Sequence, residues 1–495
     1  MHKVLKVFVL VFVFLVFVYK AFVFLDPDFG HQLKTGEYIS KTQGVPLIDQ
    51  FSYTMPSYPV VSHEWLLTLL LALTFPILGF EGLSLVFSGI FLATFLIITR
   101  RIRDSVETLL FCLGVAATLP FFGVRFQVFS WMLMVLETLI LFGKNYDKTK
   151  IFLPVVFLIW TNVHGSFLMG LVGYFVFLLF RSIRRKSFSW SDASVAAFSL
   201  FLTFVNPYIG QNWRETWTSF TDTNLRWSIV EWMPAVFSFN LPFMAMIALS
   251  GVFLWIYRRK IVLEKKVLYL VFLFQALSSV RHVPLWVVIA IPITIEAINY
   301  FIKDLRNIKL GQVRLQKVLK FSVIGGLAIF LLQAFFALRG AESFSEDTFY
   351  PREAVYYLKQ NGVCGRVFND YGWGGYLIWK MPEAKVFIDG RMPSWRWNVS
   401  VPKEANWAMK EYSGVLSGDM GFERVFDKYG IGTVLVPVDK KESLYSVLVR
   451  KIDSILFKKE EPFKLKEELT DKGFKEVYKD NVAVVFKASD CSLRI

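Results

Sequence analysis

The sequence predicts a mainly α membrane protein with about eleven transmembrane helices, interfacial helices beside them and a small C-terminal α/β domain outside the membrane. Three observations carry this. Of 495 residues, 55 % are hydrophobic and only 19 % charged, where soluble domains carry about a quarter charged residues. Apolar runs long enough to span a bilayer recur from the N-terminus to residue 338. Beyond that point the chain turns charged and has no further run of spanning length. The same figures exclude disorder, collagen and a coiled-coil rod. The net charge of +15 reads as membrane topology rather than nucleic-acid binding, and three cysteines exclude a disulfide scaffold or a Cys-rich zinc module.

The first run, 4–25, is too long for a signal-peptide core and lacks a clear small-residue cleavage site, so it reads as a retained helix. Later runs lie near 81–100, 106–122, 126–143, 151–163, 166–181, 190–206, 239–257, 264–280, 283–302 and 319–338. The stretch 66–78 is too short to span and reads as an interfacial helix. Charge supports that choice. With the N-terminus cytoplasmic and 66–78 not crossing, the inner loops collect Arg100, Arg101 and Arg103, then Lys144, Lys148 and Lys150, then Arg181, Arg184, Arg185 and Lys186. They continue with Arg258, Arg259, Lys260, Lys265 and Lys266, and with Lys303, Arg306, Lys309, Arg314, Lys317 and Lys320. The outer loops hold only Lys34, Lys41, Arg125, Arg214, Arg226 and Arg281. The positive-inside rule then places the C-terminal domain outside. The domains are therefore 1–338, with a first outer loop at 26–64 and an interfacial helix at 65–78, and 345–495. In the second domain 351–360 starts like a helix, with Pro in its first turn, and 366–368, 385–388, 432–436 and 482–486 read as strands. Cys364 and Cys491 fall where a disulfide is permitted; the sequence does not say whether they meet.

Polar residues collect on the outer side of this topology. Four of the five histidines, His31, His63, His164 and His282, lie there with Asp26, Asp28, Asp49, Glu64, Arg125, Asn162, Asn206, Glu231 and Arg281. Ionisable groups at a membrane edge are functional candidates by default, so the pattern points to one polar cavity opening outward. The first outer loop is densest. It starts with Asp26-Pro27-Asp28, continues through a surface helix at 29–41 and ends at His63-Glu64-Trp65. Two carboxylates two residues apart suit a base or a divalent-cation site, or simply cap the following helix. Glu137 and Glu296 lie inside spans, where packing with a hydrogen bond competes with a proton relay.

Asp26-Pro27-Asp28, the run Pro46 to Tyr53 and His63-Glu64-Trp65 recur as a set with Trp160-Thr161-Asn162-Val163-His164-Gly165, Asn206-Pro207-Tyr208, Glu231-Trp232 and Arg281-His282. Past the last span follow Asn369-Asp370-Tyr371-Gly372-Trp373-Gly374-Gly375 and Phe387-Ile388-Asp389-Gly390-Arg391. In this order the set resembles a largely uncharacterised family of bacterial membrane glycosyltransferases of the GT-C superfamily. The resemblance spans nearly the whole chain. It implies an inner-membrane enzyme that takes a sugar from a polyprenyl-phosphate-linked donor and passes it to a glycan, lipid or protein acceptor on the outer face, with inversion. It carries the acidic role of the first outer loop to Asp26 and Asp28, as base or as ligands of Mg or Mn. Asp28 is preferred, on the expectation that it lies deeper in the fold.

The leaving phosphate needs cations, and Arg281, His282 and Arg125 are the candidates, each with membrane anchoring as the alternative. His63, Glu64, His164, Glu231, Trp232, Asp370, Tyr371, Asp389 and Arg391 are candidates for sugar or acceptor binding. For His164 a hydrogen-bonded turn, for Asn206-Pro207 a helix stop, and for Gly372 to Gly375 a strand-to-helix turn are the plainer readings. Asp370-Tyr371-Gly372 is similar to the core of the acceptor motif of oligosaccharyltransferase catalytic subunits. The tryptophans expected before it are Phe368 and Asn369, which argues against a peptide acceptor. Two other classes compete: a transporter or flippase of lipid-linked glycans, opposed by few intramembrane charges and no two-fold repeat, and a non-catalytic scaffold with the same fold.

Overall fold

The computed structural model describes residues 3–100, 102–306, 312–439 and 464–491. His2, Arg101 and Lys309 lie outside them. The chain divides into two compact units. The first comprises Met1–Asp26, Ile39–Val45 and Val61–Ser343, the second Pro27–Tyr38, Pro46–Val60 and Phe344–Ile495. The C-terminal unit thus begins one residue before the expected boundary, but two pieces of the first outer loop cluster with it rather than with the membrane helices.

The first unit is a helical bundle. Helices α1 (Lys3–Val23), α3 (Trp65–Ile98), α4 (Ser105–Thr118) and α5 (Gln127–Phe142) open it, and each later apolar run forms a helix near its expected place. By length and composition four helices can cross a membrane: Trp65–Ile98, Phe167–Arg185, Val280–Leu305 and Lys317–Glu342. Five shorter apolar helices stand beside them among the described residues. The unit is therefore a multi-pass membrane bundle. Large apolar side chains lie on its surface: Ile77, Trp255, Phe274 and Phe321 are all exposed, as suits a lipid-facing bundle. The stretch 65–78 is helical and separate from 80–98, because Gly79 interrupts α3 at φ 62°, ψ −174°, a region essentially restricted to glycine. Ion pairs tie the loops of expected inner location: Arg184 forks onto Glu264 at 2.8–3.1 Å, Lys150 pairs with Asp192, and Lys265 lies 2.6 Å from Glu296. Glu296 is thus held by a cation. Glu137 is buried beside Gly170, where a Cβ would stand 2.9 Å from its Oε2.

In the second unit a four-stranded sheet runs in the order β1 (Arg366–Asn369), β2 (Ile431–Pro437), β4 (Ala483–Ala488), β3 (Phe474–Lys479). β1 and β2 are parallel and the other pairs antiparallel. Three expected strands are present. The fourth, 385–388, is not in the sheet. Its backbone turns to the first outer loop instead: Val386 N–H donates to Phe51 O at 3.0 Å, Tyr53 N–H to Val386 O at 3.2 Å, and Thr54 Oγ1 to Phe387 O at 2.7 Å. The strand β3, with the charged sequence Phe-Lys-Glu-Val-Tyr-Lys, carried too little apolar alternation to be recognised. Helices Ala408–Ser417 and Phe422–Tyr429 cover a core of Phe368, Phe387, Phe426, Val434 and Phe486. Cys364 and Cys491 form a disulfide with Cα atoms 5.4 Å apart.

Helix α2 (Phe29–Thr42) begins in this unit and meets the turn after β1 backbone to backbone. A Cβ on Gly30 would lie 1.9 Å from Gly375 O, and one on Gly375 2.0 Å from Pro27 O. Glycine is required at both positions by this approach. Asp370 caps that turn, its Oδ1 accepting from Gly372 N–H at 2.8 Å, and the helix Gly374–Lys380 follows, so the run 372–375 is the strand-to-helix turn expected on the plainer reading.

Candidate functional site

In the first unit the end of α1 meets two loops. Asp26 is buried and its carboxylate pairs with Arg125 Nε. Arg125 Nη1 also lies 2.6 Å from Glu231 Oε1. Lys20 is buried one turn and a half earlier on α1; its Nζ donates to Phe122 O and sits 4.9 Å from the Phe24 ring centre. Arg281 lies over Trp232 at 4.2 Å. Two bonds fasten the loop of Glu231 to that of Arg281: Ser279 Oγ to Glu231 O at 3.1 Å and Val280 N–H to Met233 O at 3.0 Å. His282 is buried, stacked on Phe220 with centroids 5.7 Å apart and edge-on to Trp232 at 6.2 Å. Burial works to raise the Glu231 carboxyl, but Arg125 and then Arg281 hold it below the ordinary value. Five sequence-predicted residues from four chain segments are thus one cluster, with His282 at its margin. Lys20 was missed, because it lies inside an apolar run; a lysine in such a run is itself a signal of function.

A second group forms beside the start of α3. Glu64 Oε1 lies 3.7 Å from His63 Nε2 and 3.5 Å from His164 Nε2. Ser166 N–H donates to His164 Nδ1 at 3.1 Å. A backbone amide can only donate, so Nδ1 is the acceptor and the ring proton is on Nε2, facing Glu64. Burial, then His63, Arg281 and Arg125, push His164 well below its ordinary value, so the ring is neutral. His164 closes a tight turn, as the plainer reading expects, and its Nε2 faces the Glu64 carboxylate. Trp65 Nε1 donates to Asn162 Oδ1 at 2.8 Å. Asn206 Oδ1 accepts from Tyr208 N–H at 3.0 Å, which is the helix-stop geometry.

The second unit holds the other candidates. Asp28 precedes α2 with its side chain 43 % exposed, and its Oδ1 lies 3.8 Å from His31 Nδ1. Asp26, not Asp28, is the deeper of the two aspartates, so the reason for preferring Asp28 is corrected: its distinction is accessibility. Gly390 lies against it; a Cβ there would be 2.7 Å from Asp28 Oδ1. Its φ is not in the left-handed region, so the glycine serves this approach and not the turn conformation. Asp389 is buried and grips Arg391 through both oxygens, at 2.8 and 2.6 Å, while Arg391 Nη2 reaches Asp49 Oδ1 at 2.9 Å. Burial raises Asp389, but Arg391 holds it below the ordinary value, and Arg391 in turn is raised because Asp389 and Asp49 outweigh its burial. Burial raises Asp370, opposed by its bonds from Gly372 N–H and Tyr412 Oη. Tyr371 N–H donates to Tyr412 Oη at 3.1 Å.

A divalent cation finds no ready ligand set. The Asp26 carboxylate is engaged by a guanidinium, and the described residues contain no group of three or more His, Cys, Asp or Glu side chains placed to hold a metal. The residues present do not fit the Mg or Mn expectation.

The backbone as a whole matches known structures. It superposes on the crystal structure of ArnT from Cupriavidus metallidurans bound to undecaprenyl phosphate with a TM-score of 0.52 at 12 % identity, over 99 % of this chain and 98 % of that one. The chain therefore shares the overall fold of that protein. The oligosaccharyltransferase of Archaeoglobus fulgidus, tethered to an acceptor peptide with the NVT sequon, matches with a TM-score of 0.54 at 11 % identity, over 88 % of this chain and 69 % of that one. No protein-family model and no curated protein matches the sequence. The likeness is one of backbone structure at low identity, and what it establishes is the fold.

Proposed function

We propose that the chain is a membrane glycosyltransferase that moves a sugar from a polyprenyl-phosphate-linked donor to a glycan or lipid acceptor on the outer face of the cytoplasmic membrane. Its N-terminus is cytoplasmic, and about eleven helices cross. The observation that carries this reading is the gathering of three basic side chains, the buried Lys20 and the partly buried Arg125 and Arg281, around the buried Asp26 and the one-third exposed Glu231. An excess of basic groups in a membrane bundle suits a phosphate whose lipid tail stays in the bilayer. The binding of undecaprenyl phosphate by ArnT, a protein of the same fold, supports the same donor class.

In this reading Arg125 and Arg281 balance the charge on the phosphate, and Asp26 and Glu231 hold Arg125 in place. A carboxylate takes the proton of the acceptor hydroxyl, the role that the resemblance gives to the acidic residues Asp26 and Asp28. The acceptor oxygen bonds to the anomeric carbon while the bond from that carbon to the phosphate oxygen breaks. The electron pair leaves with the polyprenyl phosphate, and the anomeric configuration inverts. His63, Glu64, His164 and Trp232 contact sugar.

Mass spectrometry of lipid-linked glycans and surface polysaccharide tests this, in cells carrying the wild type, Asp28→Asn, Arg125→Gln or Glu137→Gln. One missing sugar, with its polyprenyl-linked donor accumulating in the first two variants only, is expected. An unchanged profile in folded Asp28→Asn and Arg125→Gln proteins overturns the reading. A defect confined to Glu137→Gln points to transport instead.

A further inference from the structure

We infer that the second unit carries a separate anion-binding cleft, lined by none of the candidate residues above, for a ligand bearing phosphate or carboxylate groups. The cleft has a volume of about 430 Å³, within the range of small-molecule sites, roughly 300–1,000 Å³. Its floor includes Tyr53 and Met381, both buried. Three basic residues from three segments converge on it: Lys359 near the C-terminus of the helix Arg352–Asn361, Arg366 at the start of β1, and Lys385 in the loop after the helix Gly374–Lys380. Among the described residues Glu383 is the one acidic residue lining it. The cleft therefore carries an excess of two positive charges.

Several other cations of this unit are held by acids. Arg391 is shared by Asp49 and Asp389, Lys428 pairs with Glu411 at 2.7 Å, and Lys380 with Glu346 at 3.1 Å. Among the described residues none of Lys359, Arg366 and Lys385 makes an ion pair or a side-chain hydrogen bond; Arg366 only lies over the Tyr53 ring, at 5.0 Å. Like charges gathered around a concavity repel one another and focus a positive field into it, and a bound anion relieves that repulsion. Tyr53 cannot turn to serve as a donor, since its Oη is committed to Val367 O at 2.8 Å. Recognition therefore rests on charge, with the Tyr53 ring as an orienting wall for the Arg366 guanidinium. An anionic glycan and an anionic lipid headgroup present the same chemistry here.

The test uses the full chain in neutral detergent and measures binding of three probes: an oligogalacturonate, a neutral dextran fragment, and a soluble short-chain phosphatidylglycerol. Binding of either anionic probe, weakened by salt, and absent for dextran, is expected; which of the two binds names the source. Lys359→Glu with Arg366→Glu should weaken it by about tenfold or more, since two charge-assisted contacts are lost. Glu383→Gln should tighten it, a gain that misfolding cannot produce. Failure of both anionic probes to bind, or binding indifferent to all three substitutions, overturns the inference.

Discussion

Each unit contains an arginine held between two carboxylates, and the two triads differ in what surrounds them. In the second unit Asp49 and Asp389 are completely buried and turn their oxygens onto Arg391. The triad is closed, with two acids to one base, and nothing more is asked of it than to fasten residues 342 positions apart. In the first unit Arg125 joins Asp26 to Glu231, but Lys20 and Arg281 add two more basic groups and the Glu231 side chain stays one-third exposed. The same ion-pair motif is thus closed and fully buried in one place, and partly exposed with more basic than acidic side chains in the other. The surplus of base over acid makes the difference.

That comparison can be broken. Arg125→Gln should lower sugar transfer by about 10²–10³-fold, the usual loss for one charge-stabilising donor, with the fold retained. Arg391→Gln should do the reverse. It strands two buried carboxylates and should destabilise the second unit by about 3–5 kcal/mol, read as lost hydrogen-exchange protection in β1 and β2 of the full chain. Equal loss of fold in both variants would dissolve the distinction. Serine at Cys364 and Cys491 removes a crosslink between distant segments and should cost the second unit about 2–4 kcal/mol, leaving exchange in the helical unit unchanged. Gly375→Ala drives a Cβ toward Pro27 O; the over-packing should cost about 1–3 kcal/mol and loosen the start of α2 first.

Acidification gives the smallest effect and sharpens the comparison. Asp389 and Glu231 both titrate below their ordinary values of 3.8 and 4.5 in the fold. Each therefore contributes stability that is present above the ordinary value and lost as pH falls through the depressed one. Asp370 is raised and works in the opposite sense, since protonation relieves its burial. Chemical denaturation of the full chain should be flat from neutral pH to about pH 5 and weaken below about pH 4. Weakening that begins above pH 5 would show that neither triad governs acid stability.

Much of the fold was legible because hydrophobic runs report helices locally. The break at Gly79, the helix after Pro351 and the turn at 372–375 were legible for the same reason: each depends on residues within a few positions. The stretch 385–388 was misread since a short apolar run suits a strand, and only the approach of residues 51–54 decides where its backbone bonds go. Within the site, the sequence marked Asp26, Arg125, Glu231 and Arg281 as charged groups at span ends. It held no sign that one arginine would join Asp26 to Glu231, and Lys20 was hidden in an apolar run.

The amino-acid order by itself determined the membrane class, the succession of helices and the separate charged unit at the C-terminus, because burial in lipid and local periodicity act on neighbours along the chain. Tertiary structure alone decided which acid meets which base, that the first outer loop is divided between two units, and that Asp28 is the accessible aspartate. Those depend on contacts between segments hundreds of residues apart, where side-chain type permits many partners and packing selects one.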